Sequence, residues 1–157
     1  MEDEAYVRVL RESLEKKVEL LQLISQENEV QAKVLKDPMS TPDELQTTMD
    51  HKDGWVEQIS TLDDGFSVIF DKVKPLLADQ KDKYRDDISA MKDLVRQITD
   101  LTTLVRKQEQ ENYRLVEQKF AGIKKQVKKI RKSQSAVSNY YKTMNGGYDS
   151  QFLDKSK

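Results

Sequence analysis

The sequence predicts an all-α protein: an antiparallel three-helix bundle, or helical hairpin, with a long C-terminal helix that extends beyond the bundle and a flexible tail. Three observations predict this fold. Charged residues make up 35% of the 157 residues, with only five glycines and three prolines, which is typical of long exposed helices. Apolar residues recur every three or four positions, as on one helix face. The last such stretch runs for about 58 residues, far longer than the two before it.

The first helix is predicted over residues 3–36, which contain no glycine or proline. Its apolar stripe thins after Ile24, through a run of polar residues, and Pro38 ends the helix because the residue before a proline avoids the α region. The stripe consists of Val7, Leu10, Leu14, Val18 (or Lys17 in strict register), Leu21 and Ile24.

The second helix is predicted over residues 42–77. Thr41 can cap it, Pro42 suits its first position, and Glu44 completes a capping box. Gly54 and Gly65 either weaken the helix by about 1 kcal/mol each or mark a close backbone approach. Pro75 is expected to kink or end it. The apolar stripe includes Leu45, Met49, Val56, Ile59, Leu62, Phe66, Ile69 or Phe70, and Val73.

The third helix is predicted to begin near residue 81 and to stay within the bundle as far as residue 113. Its seam is interrupted by the polar run RKQEQEN at residues 106–112. Two neighbours of about 35 residues can shelter only a similar length of a third helix. The predicted bundle domain is therefore residues 1–113, and the rest of the helix lacks a neighbour.

Residues 114–139 are predicted to form a basic amphipathic extension of the third helix. Isolated from packing, such a helix is marginal, so its apolar line needs a cover. Three covers are open: the bundle itself, a membrane surface or nucleic acid, and a groove or helix of a partner protein. We expect a partner protein to contact Leu115, Val116, Phe120, Ile123, Val127 and Ile130.

Residues 140–157 are predicted to form a flexible tail that carries aromatic anchors on both sides of Gly146 and Gly147. Aromatic side chains give large contact areas at low entropic cost, which suits short recognition segments. The packing of these side chains on the protein's own surface is the alternative. The predicted tail contacts are Tyr140, Tyr141, Tyr148, Phe152 and Leu153.

No catalytic, cofactor-binding or metal-binding residue can be proposed from the sequence. There is no cysteine, and His51 is the one histidine, which is too few ligands for an ordinary metal site; we expect it to lie on the surface of the second helix. No nucleic-acid-binding motif is present, and no apolar run serves as a secretory signal or spans a bilayer. We expect a cytoplasmic protein that is not an enzyme, needs no cofactor, does not insert in a membrane and does not bind nucleic acid.

Four stretches resemble the flagellar export chaperones of the FlgN-like kind. ESLEKKVELL at residues 12–21 looks like the opening helix of that family, and HKDGWVEQISTLDDGFSVIFDKV at residues 51–73 looks like its second helix. ENYRL at residues 111–115 falls midway along the third. The end of the chain, SNYYKTMNGGYDSQFLDKSK, is similar to the family's aromatic tail. LDDGF and this tail are the most specific parts of the resemblance.

The resemblance implies a chaperone of type III secretion. Such chaperones bind hook-filament junction (hook-associated) proteins, keep their amphipathic terminal helices from assembling early, and bring them to a component of the flagellar export gate. Client binding in that family lies in the C-terminal portion. The alternative is a coiled-coil structural or adaptor protein that forms a homo-oligomer through its long C-terminal helix.

Overall fold

The computed structural model describes residues 2–121, which form three α-helices joined by short connections. Helix α1 spans Glu2–Lys36, α2 spans Pro42–Asp79 and α3 spans Arg85–Ala121. The described part of the chain contains no strand. The predicted all-α fold and its helical bundle are therefore confirmed.

Side-chain pairs between helices give their relative directions. Lys17 pairs with Asp63 and Gln31 with Thr48, so α1 and α2 run antiparallel. Arg11 pairs with Asp87 and α1 runs beside α3 in the same direction, as expected when two connections each reverse the chain. Helix α1 packs along both other helices, which approach each other less closely.

The predicted stripe of α1 forms the centre of the core. Its six apolar members are all buried, and Leu10, Leu21 and Ile24 are fully so. Ile59 of α2 and Ile98 of α3 join the buried residues from the other two helices. Burial of one such side chain stabilises a fold by about 1.5–3 kcal/mol, so the stripe supplies much of the bundle's stability.

The connection between α1 and α2 has the predicted capping box. Thr41 has extended backbone angles, its hydroxyl accepts from the Glu44 amide at 3.3 Å, and its own amide donates to the Glu44 carboxylate at 3.3 Å. Helix α3 reaches this connection as well. The Lys119 ammonium donates to the Asp37 carbonyl at 2.9 Å and to the Ser40 hydroxyl at 2.8 Å.

For α2, the structure excludes one of the two alternatives at Pro75 and one of the two at the glycines. Pro75 does not end the helix, which continues for another turn to Asp79. A proline removes only one backbone hydrogen bond, and near the end of a helix few such bonds remain to be disturbed. Neither Gly54 nor Gly65 marks a close backbone approach. A Cβ built on either would meet nothing within 4 Å.

The predicted end of the packed region near residue 113 is too early. Helix α3 begins at Arg85 rather than near residue 81, and α2 ends two residues later than predicted. Packing against the core continues to Phe120. Of the predicted extension, residues 114–139, the part up to Ala121 belongs to α3. Residues 122–139 and the predicted tail lie outside the described residues.

Candidate functional site

Three of the predicted client contacts are core residues of the bundle. Leu115, Val116 and Phe120 are only 8%, 1% and 9% exposed, and they belong to the same apolar cluster as the stripe of α1. The expectation that these side chains lack a cover within the chain is wrong. Helix α3 begins at Arg85 rather than near residue 81, so its residues 115–120 still lie beside the end of α1 and the start of α2. Their contact with a client therefore has no support from exposure.

The other predicted contacts lie outside the described residues. They are Ile123, Val127 and Ile130 of the apolar line and Tyr140, Tyr141, Tyr148, Phe152 and Leu153 of the tail. They remain predictions.

The polar run of α3 is not the end of the bundle but part of a buried polar layer. Lys52 of α2 is fully buried, and its ammonium donates to both Glu109 carboxylate oxygens at 2.9 and 3.0 Å. It also donates to the side-chain oxygens of Asn28 at 2.8 Å and Gln31 at 2.9 Å. Four acceptor atoms from α1 and α3 therefore surround one cation of α2.

Two further buried side chains complete the polar layer. Asn112 donates to the Asn28 carbonyl at 3.0 Å and to the Gln31 side-chain oxygen at 3.1 Å. Gln31 in turn donates to the Thr48 hydroxyl at 2.9 Å. Burial lowers the pKa of Lys52, and the Glu109 carboxylate opposes that shift. A well-paired network of this kind rigidifies a core, and the loss of one member leaves buried polar groups unsatisfied, which is destabilising.

The sequence contains a signal for this layer that becomes visible only when the three helices are aligned with one another. On α1, Asn28 and Gln31 fill the stripe positions between Ile24 and Leu35. Lys52 fills the position between Met49 and Val56 on α2. Glu109 and Asn112 do the same between Val105 and Val116 on α3. Polar residues in stripe register on all three helices at one level indicate a buried layer rather than a bundle end.

A second buried ion pair lies nearer the other end of the bundle. The Lys17 ammonium is 2.8 Å from an Asp63 carboxylate oxygen, with exposed side-chain fractions of 2% and 10%. Burial lowers the pKa of Lys17, opposed by Asp63. The strict-register alternative for the stripe of α1 had placed Lys17 inward, and the structure shows both Lys17 and Val18 buried.

An open groove of about 1030 Å³ separates α2 from α3 near their connection. We call it the α2–α3 groove. Leu14 of α1 lines it beneath the two helices, Phe66, Phe70 and Leu77 line it from α2, and Ile88, Met91 and Val95 line it from α3. The Phe66 and Phe70 rings are stacked, with centroids 5.7 Å apart.

The rim of the α2–α3 groove is basic. Lys81, Arg85, Lys92 and Arg96 line it with one acid, Asp82. Arg85 pairs with Asp82 at 3.0 Å, and Arg96 pairs with Asp93 outside the groove at 3.0 Å. Neither Lys81 nor Lys92 has a salt bridge to any described residue, so these two charges are available to a bound acidic group.

His51 lies on the surface of α2, as predicted, with 53% of its side chain exposed and its Nδ1 2.9 Å from a Glu27 carboxylate oxygen. Its ring is 6.0 Å from that of Trp55, which is half-buried against the core. Between residues 2 and 121 no cluster of His, Asp and Glu could hold a metal ion. None of the three described helices is long and apolar enough to cross a bilayer.

The described chain is thus a small three-helix bundle with an open groove that is apolar at its base and basic at its rim. The family model described as FlgN protein matches residues 1–147. The chain therefore belongs to the FlgN family, the flagellar export chaperones. This is a chaperone family and not an enzyme family. No curated protein and no solved structure matches the chain.

Proposed function

We propose that this protein is a cytoplasmic chaperone that binds the amphipathic terminal helices of hook-associated proteins. It prevents their premature assembly and delivers them to the flagellar type III export gate. The observation that carries this proposal is the match of the FlgN family model to residues 1–147. Binding of flagellar export substrates follows from the family. The identity of the substrate, its protection from early assembly, its delivery to the export gate and the cytoplasmic location are the parts we propose.

The proposed client anchors are Ile123, Val127 and Ile130. They continue the helix spacing of α3 beyond its last described residue, Ala121, and lysines surround them in the sequence. An amphipathic client helix can bury its apolar face against such a line, in the manner of helix-in-groove recognition. Leu115, Val116 and Phe120 are left out because their side chains already pack in the bundle.

The test is the affinity of the purified full chain for purified hook-associated proteins, measured by calorimetry. Ile123→Asp and Ile130→Asp should each weaken binding by at least about 2 kcal/mol, roughly 30-fold, which is the loss typical of an interface hot spot. Val68→Asp is the matched control, since Val68 is a 60% exposed apolar residue of α2. No binding to any hook-associated protein would overturn the proposal.

Light scattering separates this function from a self-assembling coiled coil. The chaperone is expected to gain mass when the client is added. A homo-oligomer that grows with concentration and dissociates when residues 122–157 are removed would instead support the structural role.

A further inference from the structure

We infer that the α2–α3 groove is the docking site of this chain's own C-terminal segment, residues 148–154, when no other protein occupies that segment. The groove is apolar at its base and basic at its rim. The segment, YDSQFLD, is the one part of residues 122–157 that combines aromatic and acidic side chains without a base.

The segment and the groove both carry large apolar side chains. Tyr148, Phe152 and Leu153 give the segment three large apolar groups within six residues. The groove offers the stacked and half-buried rings of Phe66 and Phe70. Aromatic pairs contribute about 0.5–1.5 kcal/mol in addition to the energy of the apolar area that they bury. A segment of seven residues can place its apolar side chains in the groove without forming a helix against it.

The acidic residues of the segment complement the basic rim of the groove. Asp149 and Asp154 lie on either side of Phe152 and Leu153 in the segment, and Lys81 and Lys92 are the rim cations that pair with no described acid. Residues 119–132, by contrast, are strongly basic, and the basic rim would repel them. Complementary charge selects the occupant of an interface by excluding like-charged competitors.

The length of the chain outside the described residues allows this docking in one arrangement. Ala121 lies roughly 45 Å along α3 from Met91 in the groove, at 1.5 Å per residue. The 26 or so residues before the segment span up to about 85 Å when extended. A straight continuation of α3 to residue 139 would carry the segment too far away, so docking requires the chain to reverse direction after Ala121.

The consequence rests on the proposed function, although the docking does not. A docked segment withholds Tyr148 and Phe152 from the export gate until a client draws the C-terminal region away. Binding of the client and release of these aromatic anchors are then coupled through one site, because the segment cannot occupy the groove and a partner together.

Cysteine cross-linking tests the docking directly, because the chain contains no cysteine. Ser89→Cys, in the groove, combined with Ser150→Cys should form an intramolecular disulfide under mild oxidation. Thr47→Cys with Ser150→Cys is the control. Thr47 is exposed near the end of the bundle where the described chain stops, so an undocked tail would meet it more often. Docking should make the Ser89 pair react about tenfold faster, through its higher effective concentration.

Charge reversal provides the second arm. Lys92→Glu should lower the Ser89–Ser150 cross-linking rate about tenfold, and Asp149→Lys in the same chain should restore it. Lys107→Glu, an exposed lysine of α3 away from the groove, should leave it unchanged. Equal rates for the Ser89 and Thr47 pairs would overturn the inference. A disulfide found between two chains would do the same and assign the groove to a second copy.

Neither arm uses a client. The docking can therefore fail while the chaperone still binds hook-associated proteins, and it can succeed if that function fails.

Discussion

Replacement of Lys52 by methionine tests whether the buried polar layer stabilises the bundle as a unit. Lys52→Met keeps most of the side-chain volume but removes the cation that donates to Glu109, Asn28 and Gln31. The Glu109 carboxylate would then be left 3% exposed without its cation. Loss of one partner of a buried ion pair costs about 3–5 kcal/mol, against a total stability of about 5–15 kcal/mol for such a domain.

Urea unfolding, followed by circular dichroism and by the fluorescence of the single tryptophan, Trp55, measures this loss. With a slope of about 2 kcal/mol per molar urea, the midpoint should fall by about 2 M. Lys74→Met is the matched control. Lys74 is an exposed residue of the same helix, and its replacement should change stability by no more than about 0.5 kcal/mol.

The double variant Lys52→Met/Glu109→Met separates the charge pair from the rest of the polar layer. It removes both charges of the pair, so neither is left buried without the other, and the Asn28 side-chain oxygen loses the donor that Lys52 supplied. We expect it to be within about 2 kcal/mol of the unmodified protein, with a coupling of at least about 2 kcal/mol between the two sites. A Lys52→Met midpoint within 0.5 M or so of the unmodified protein, at unchanged slope, would refute the reasoning.

Three further predictions concern the helices. Gly54→Ala and Gly65→Ala should each stabilise the bundle by about 0.5–1 kcal/mol, because both glycines are helical with free space around them; a fall in melting temperature would contradict this. Thr41→Ala should cost about 1 kcal/mol in urea unfolding through loss of the α2 cap, and Thr41→Ser should retain most of it. Phe120→Ala should cost about 3 kcal/mol, whereas an unchanged midpoint would show that Phe120 does not pack in the core.

The features that could be predicted from the sequence are those set by local chemistry. The capping box at Thr41 and Glu44 and the apolar stripe of α1 depend on neighbours along one helix, and both are present. The residue of α3 at which packing against the other helices ends could not be predicted from such local patterns. It depends on where α2 and α3 begin and end relative to each other, and the stop signals near Pro75 are weaker than assumed.

The candidate site was predictable only in part, for a related reason. A polar residue in stripe register, such as Lys52, can indicate either a gap in the packing or a buried pair, and one helix alone does not distinguish them. The distinction requires the matching polar positions on the two other helices, here Asn28 and Glu109. The α2–α3 groove is even harder to predict from the sequence, because a groove depends on the spacing between packed helices.

The buried Lys52 ammonium also favours α3 over any other helix at the third position of the bundle. If the proposed client helices bind this protein, one of them could compete with α3 for its place in the bundle. A helix with a purely apolar face would place hydrocarbon against the Lys52 ammonium, whereas α3 supplies the Glu109 carboxylate. We expect this mismatch to keep other apolar helices out of the bundle core. A shift of α3 by one heptad should be disfavoured for the same reason, because it would separate Glu109 from Lys52.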